Sequence, residues 1–451
     1  GFTKTPGINA IVSSTFKPAD LQEQIIYNRA IEAVIWGVPA VNFELLNESL
    51  MNAKGDFNQI IYWSGLINSK NQTLTPNPDV VYINPLYDTR KGPVVLEIPP
   101  VEGSSSITGS LDDGWQTAIE DIGPAGVDKG KGGKYLILPP DYKDKVPAGY
   151  IAMPSSTYTG FAILRSNITD GSPADLKRAI DYGKRIKIYP YSQAGAPPTT
   201  QFLDLLNIPF NNVIPYNFHF FELLNQFVQR EPWLNRDLVM VDYLKSIGIE
   251  KGKPFEADAR KKEILNVAIK DAHTWIDLQY QNAFKPPFYD GTNWALPVSP
   301  DFVKAIGSNY TIPNFYPVGE RAVAYSTGQF YLVSIKDDKG QEFDGSKLYQ
   351  LHLPPNVPVK LYWSVTAYDR ETHALIKDMK YFSRASTSPG LQKNSDGSVD
   401  IYFGAKAPAG KESNWVPTDP KGKFELLARF YGPEKGFFEK TWKMGDLTEV
   451  K

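Results

Sequence analysis

Asp112-Asp113-Gly114-Trp115, followed by Glu120 and Asp121 and preceded at a distance by Asp79, is the densest group of chemically able side chains in this sequence. Paired carboxylates whose surroundings separate their pKa values can act as acid and base, and the same oxygens can hold a hard divalent cation. Asp79, Asp112 and Asp113 are the candidate catalytic residues on that reading. The plainer reading is an Asp-Gly turn at a strand end, with Trp115 packed and Glu120 and Asp121 solvated.

Four histidines, His219, His273, His352 and His373, offer a second chemistry. None belongs to an H-E-x-x-H motif. His219 and Glu222 stand three apart on one expected helix, and His273 and Asp277 four apart on another. The four could form a mixed metal site between helices, against the simpler alternative of local His–carboxylate hydrogen bonds. His352 points away from Leu351 and Leu353 in "QLHLPP" and reads as a surface residue.

Aromatic residues form the third set. Tyr62, Trp63, Trp115, Tyr362, Trp363, Tyr368, Trp415 and Trp442 recur near expected strand ends, where rings either stack on a carbohydrate or another small molecule or fill a core. The pair Tyr-Trp at 62–63 and again at 362–363 places one ring on each face of a strand. Asn77, Tyr82, Trp115 and Trp363 are the ligand-binding candidates. "DKGKGGKY" lacks the Ser or Thr of a phosphate loop, no G-x-S-x-G elbow occurs, and the Asp-Gly segments near 344 and 396 lack a calcium loop's terminal glutamate.

The elements that must position these groups alternate between two vocabularies. Residues 18–52 carry helical spacing interrupted at Gly37 and Pro39, which predicts a broken helical hairpin over 1–57. Short apolar runs between turn residues predict a first β-sandwich over 58–171, and similar runs a second over 311–451. Between them, 172–310 reads as a helical middle domain or insert, with Ser172-Pro173 as a cap and first turn. "LEIPP" at 96–100 returns as "LHLPP" at 351–355, each inside a strand, turn, strand order that ends at Asp112 or Asp369. The expected fold is therefore mainly β with α: two jelly-roll-like antiparallel β-sandwiches plus a helical middle segment. Tandem jelly rolls build trimeric viral capsids, and by that analogy a homotrimer is favoured.

Composition narrows the class. At 451 residues the chain is long enough for about two or three domains. Forty-eight basic residues against 50 acidic ones leave no excess charge for nucleic acid, and no apolar run of about 18 residues would span a membrane. Without cysteine there are no disulfides, thiolate metal sites or thiol nucleophile. A start at Gly1 is compatible with removal of a signal peptide or a tag, which leans toward a periplasmic or secreted protein.

"LTPNPDVVY", "DDGWQTAIEDIGPAG" and "GKGGKYLILPPDY" resemble a family known only as domain of unknown function 1254. "FDGSKLYQLHLPP", "YWSVTAYD", "DGSVDIYFG", "NWVPT" and "ARFYGPEKGFFEKTWK" resemble its C-terminal companion, 1214. The resemblance implies a two-part β-rich bacterial protein, often made with a signal peptide, and carries over no catalytic residues. The expectation is an exported, oligomeric binding or structural protein. The alternative is a hydrolase or metal-dependent enzyme with a carboxylate and aromatic pocket in the first β-domain.

Overall fold

Asp20 starts the first helix, α1 (Leu21–Asn52): its side chain accepts from the Glu23 N–H at 2.9 Å, and Glu23 reaches back to the Ala19 N–H at 2.8 Å. This reciprocal cap satisfies donors that a helix start leaves open. The computed structural model describes residues 16–297 and 329–451, so the expected boundary at 310 falls outside the described residues. Where the sequence suggests a broken hairpin, α1 is one helix of 32 residues that passes through Pro39. An interior proline costs a helix about 3 kcal/mol. Burial of every residue from Gly37 to Asn47 offsets it.

The first β-unit begins with β1 (Gln59–Tyr62), β2 (Asn71–Gln72), β3 (Val81–Asp88), β4 (Val94–Ile98) and β5 (Ile107–Asp113). It continues with β6 (Ala118–Ile122), β7 (Gly133–Leu138), β8 (Ile151–Pro154), β9 (Thr159–Ser166), α2 (Pro173–Gly183) and β10 (Lys187–Pro190). As expected, Ser172 caps α2 and Pro173 opens it. One sheet has the order β11-β1-β3-β9-β5-β6, where β11 is Phe202–Asp204; the other runs β10-β4-β7-β8. Ile83, Leu96, Leu111, Ile137 and Leu164 form the core between them.

The expected helical middle is divided between two bodies. Its strands β10, β11 and β12 (Phe210–Asn211) return to pair with β4, β1 and β2 of the first unit. Its helices α3 (Phe218–Arg230), α4 (Leu238–Ser246) and α5 (Ala259–Asn282) pack on α1 through Val34, Val41, Phe220, Leu224, Leu265 and Ala272. Gly37 permits the closest approach, since a Cβ there would lie 3.1 Å from Leu224 Cδ1. The N-terminal helix and the middle helices thus share one hydrophobic core.

The second unit comprises β13 (Gln329–Ser334), β14 (Phe343–Asp344), β15 (Tyr349–Leu353), β16 (Val359–Asp369) and β17 (Ser383–Ala385). Then come β18 (Val399–Gly404), β19 (Trp415–Pro417), β20 (Lys423–Pro433), α6 (Lys435–Phe438) and β21 (Thr448–Glu449). Its sheets run β13-β20-β16-β17, with β14 on β20, and β21-β15-β18-β19. Leu332, Leu351, Val365, Ile401 and Leu426 fill the space between them.

The protein is mainly β, with two sandwiches and a helical segment. Eight strands recur in the same chain order and with the same neighbours: β3, β4, β5, β6, β7, β8, β9 and β10 correspond to β13, β15, β16, β17, β18, β19, β20 and β21. "LEIPP" and "LHLPP" fall on the corresponding strands β4 and β15. Among these corresponding strands the pairing is antiparallel except at β7·β8 and β18·β19, which are parallel in both units. Register refines the echo: Asp113 lies opposite Gly160, five before Arg165, as Asp369 lies opposite Phe424, five before Arg429. Asp113, rather than Asp112, is the counterpart of Asp369.

Candidate functional site

Strand alternation decides which residues leave the sandwich cores. On β9, Ala162 and Leu164 face the first core, which turns Phe161, Ile163 and Arg165 to the opposite face. On β20, Leu426, Ala428 and Phe430 face the second core, which turns Glu425, Leu427, Arg429 and Tyr431 outward. These two faces, with α1 and α5, enclose a cavity of about 560 Å³. Trp63, Phe161, Phe210 and Leu427 supply apolar wall; Arg165 and Arg429 supply charge.

The two arginines occupy corresponding places. Tyr82 pairs with Arg165 across β3·β9, and Tyr331 pairs with Arg429 across β13·β20. All four side chains line the cavity. The pairs meet at Tyr331: Arg165 Nη1 donates to its hydroxyl at 3.1 Å, and the Arg429 guanidinium lies 5.2 Å from its ring centroid. Arg429 is 1% exposed, donates to Thr366 Oγ1 at 3.1 Å and to the Tyr368 hydroxyl at 2.7 Å, and leaves its Nε without a partner. Among the described residues, neither arginine has a carboxylate within ion-pair distance.

This positive wall sets the local acidities. Burial alone would raise the Tyr331 phenol, but the Arg165 and Arg429 guanidiniums outweigh it and hold the phenol below the usual tyrosine value. Its neighbour Tyr431 moves the other way, raised by burial and by Tyr331 and Tyr362. Farther along the wall, Glu425 accepts from the Tyr280 hydroxyl at 2.7 Å and is hydrogen-bonded by His373 Nδ1 at 2.7 Å. His373 holds a left-handed φ of 59°, a conformation that costs a non-glycine residue on the order of 1 kcal/mol.

The segment 74–84 joins the two units beside this wall. Thr75 N donates to the His373 carbonyl at 2.6 Å, the Tyr368 hydroxyl donates to the Pro76 carbonyl at 2.6 Å, and Asn77 Nδ2 donates to the Tyr431 hydroxyl at 2.6 Å. Asn77 N in turn donates to the Tyr82 hydroxyl at 2.8 Å. Every partner but Tyr82 belongs to the second unit. Leu74, Thr75 and Pro76 line the cavity.

Residues 57–190 match the model of a protein family of unknown function, DUF1254, and residues 328–435 match that of a second such family, DUF1214. The two matches follow one another along this single chain. The DUF1254 match spans β1 to β10, and the DUF1214 match spans β13 to β20, so the arginine wall takes one arginine from each. Among solved structures, the VPA0106 protein of Vibrio parahaemolyticus is similar in fold, with a TM-score of 0.55 at 18% identity, covering 94% of this chain and 100% of that one. An uncharacterised protein of Burkholderia cenocepacia aligns at a TM-score of 0.44 and 11% identity over 95% of this chain and 96% of its own. No curated protein matches the chain.

The residues singled out in the sequence are distributed unevenly about this site. In the DUF1254 region, Tyr82 lines the cavity and Asn77 braces its rim. Asp79 is buried beside them, where the Ser383 hydroxyl donates to it at 3.2 Å; burial pushes its carboxyl up against the pull of Arg429 and Ser383. Asp112 and Asp113 are away from the cavity wall. Asp113 accepts from the Trp115 and Thr117 N–H groups and from the Ser156 hydroxyl at 2.6 Å, closing the turn that the plainer reading expects. Ser110 donates to Asp112 at 3.1 Å. Trp115 packs between Trp36 and Phe227.

In the DUF1214 region, alternation turns Trp363 into the core and its neighbour Tyr362 to the cavity, and in the first Tyr-Trp pair Trp63 takes the cavity side. His219 hydrogen-bonds Glu48 at 3.0 Å and Glu222 at 3.3 Å, whereas His273 stacks on Tyr216 at 3.7 Å and Asp277 pairs with Arg370 at 2.7 Å. The two helical pairs are not brought together, and the described residues contain no cluster of three or more His or carboxylate groups arranged for a metal. His352 pairs with Asp400 on the surface. No helix of the described residues is long and apolar enough to cross a membrane.

Arg165, Arg429 and Tyr331 were missed by motif reasoning, because charged residues inside apolar strands match no motif. A signal was nevertheless present: extending the LEIPP/LHLPP echo to the last long strand of each unit aligns "FAILR" with "ELLAR" and superposes the arginines.

Proposed function

We propose that this protein binds a small, largely apolar molecule in the cavity between its two β-units, and is not purely structural. The observation that carries this is the cavity itself, whose volume of about 560 Å³ is that of a small-molecule site and whose lining combines apolar wall with polar side chains and two arginines. Export and trimeric assembly belong to the same proposal; cell fractionation and sedimentation of the purified protein test them. For the pocket, protein purified from its natural source retains a small molecule detectable by mass spectrometry. Leu427→Trp, which narrows the cavity, weakens that retention, whereas undiminished retention by the narrowed variant places the ligand elsewhere.

A second reading, turnover of the bound molecule, is favoured by Glu425, a carboxylate on the cavity wall held by Tyr280 and His373. Incubating the retained compound with fresh protein and with Glu425→Gln tests it. A mass change with the first and not the second supports an enzyme.

A further inference from the structure

Resting on the cavity reading, we infer that the ligand carries a carboxylate, gripped jointly by Arg165 of the first β-unit and Arg429 of the second. The argument begins with what the two guanidiniums lack. A buried charge is held at a cost of several kcal/mol unless it is paired, and natural interiors normally pair it. Among the described residues, Arg429 donates to two hydroxyls and, at 3.4 Å, to the Thr75 carbonyl, with Asp79 close enough to feel its charge but outside ion-pair distance, while Arg165 donates to the Tyr331 hydroxyl and lies 5.7 Å from the Tyr82 ring centroid. Both are cationic groups converging on one phenol at the wall of the cavity. The partner that would complete them is an anion.

Formal charge selects the kind of anion. Two guanidiniums and the Glu425 carboxylate line the cavity, and burial pushes the nearby Asp79 carboxyl toward its neutral form, which leaves positive charge to be matched. A singly charged carboxylate balances it, and an arginine fork fits the planar oxygens of that group. The apolar wall opposite requires the remainder of the molecule to be hydrocarbon or aromatic.

Tyr331 provides an internal reporter. The same guanidiniums that would hold the ligand hold its phenol below the ordinary tyrosine range, so an arriving carboxylate relieves their pull and raises that pKa. Binding at alkaline pH therefore takes up a proton and lowers the tyrosinate absorbance.

Titration calorimetry on the full chain tests the assignment with benzoate and octanoate against benzamide and octanamide. The acids bind at least tenfold tighter than their amides, and Arg165→Gln, at the more exposed of the two arginines, brings each acid down to the affinity of its amide. Arg429→Lys, which keeps the charge but loses the fork, reduces the preference without abolishing it. Amides that bind as well as the acids, or a preference that survives Arg165→Gln, overturn the carboxylate assignment and leave the cavity reading standing. Absence of binding by all four compounds, together with no retained natural ligand, removes both.

Discussion

Glu231 shows how one buried side chain can set the acid response of the fold. It accepts from the Tyr158 N–H at 2.8 Å and the Thr159 N–H at 3.2 Å beside Arg230, yet burial pushes its carboxyl up from 4.5 to about 7. The folded state therefore holds this proton more tightly than the unfolded chain does. The resulting stability is fully present below pH 4.5 and is lost as pH rises to about 7. Glu231→Gln removes a pH-dependent difference of about 3 kcal/mol between those limits. Urea titrations of both proteins at pH 4.5 and pH 8 measure it, and parallel behaviour of the two proteins would contradict it. At this scale the sequence disclosed residue types far better than their company. Asn77, between Pro76 and Pro78, and Tyr82, on the strand that follows, could be singled out from the sequence, whereas Arg165 and Arg429 became meaningful only when strand pairing placed them across from tyrosines.

At the scale of elements, the proline-rich segment 74–84 is both a strand start and a strut. Asn77 ties it to Tyr431 and also accepts from the Asp79 N–H at 3.0 Å. Asn77→Ala removes both bonds and costs about 1–3 kcal/mol. Hydrogen exchange should then quicken at residues 77–82 ahead of the sandwich cores; unchanged protection there would show that the strut is held by other contacts. Gly160 tests the strand packing. A Cβ there would lie 2.2 Å from the Tyr87 hydroxyl and 2.6 Å from the Asp112 carbonyl, so Gly160→Ala destabilises by about 1–3 kcal/mol in a denaturant titration. Strands and helices were largely legible from their periodicity. Pro39 was misleading because tertiary burial overrode a local helix breaker, and β10, β11 and β12 were hidden in a helical stretch because strands of two to four residues carry too little pattern to show a period.

For the whole molecule, the decisive feature is a third core, shared by the two β-units and α1. Phe43, Trp63, Tyr82 and Phe161 meet Val333, Tyr368 and Leu427 there. Separating the units would expose this surface, so calorimetry of the full chain shows one cooperative transition; two resolved transitions would mean that the units melt independently. The tandem design was readable from one echoed five-residue string and the strand order around it, but the shared core was not, because neither unit's sequence states which outer face will meet the other.

The repeated topology also gives the cavity a direction. A site formed by two identical copies would present the same surroundings to a ligand turned end for end. Here the arginines match, but the place four residues before each does not: Phe161 on β9 stands where Glu425 stands on β20. With the carboxylate held between the two arginines, swinging the ligand over would carry its hydrocarbon end from a phenyl ring toward a carboxylate. Joining two unequal copies in one chain thus makes the pocket a one-way socket, able to tell the head of a molecule from its tail.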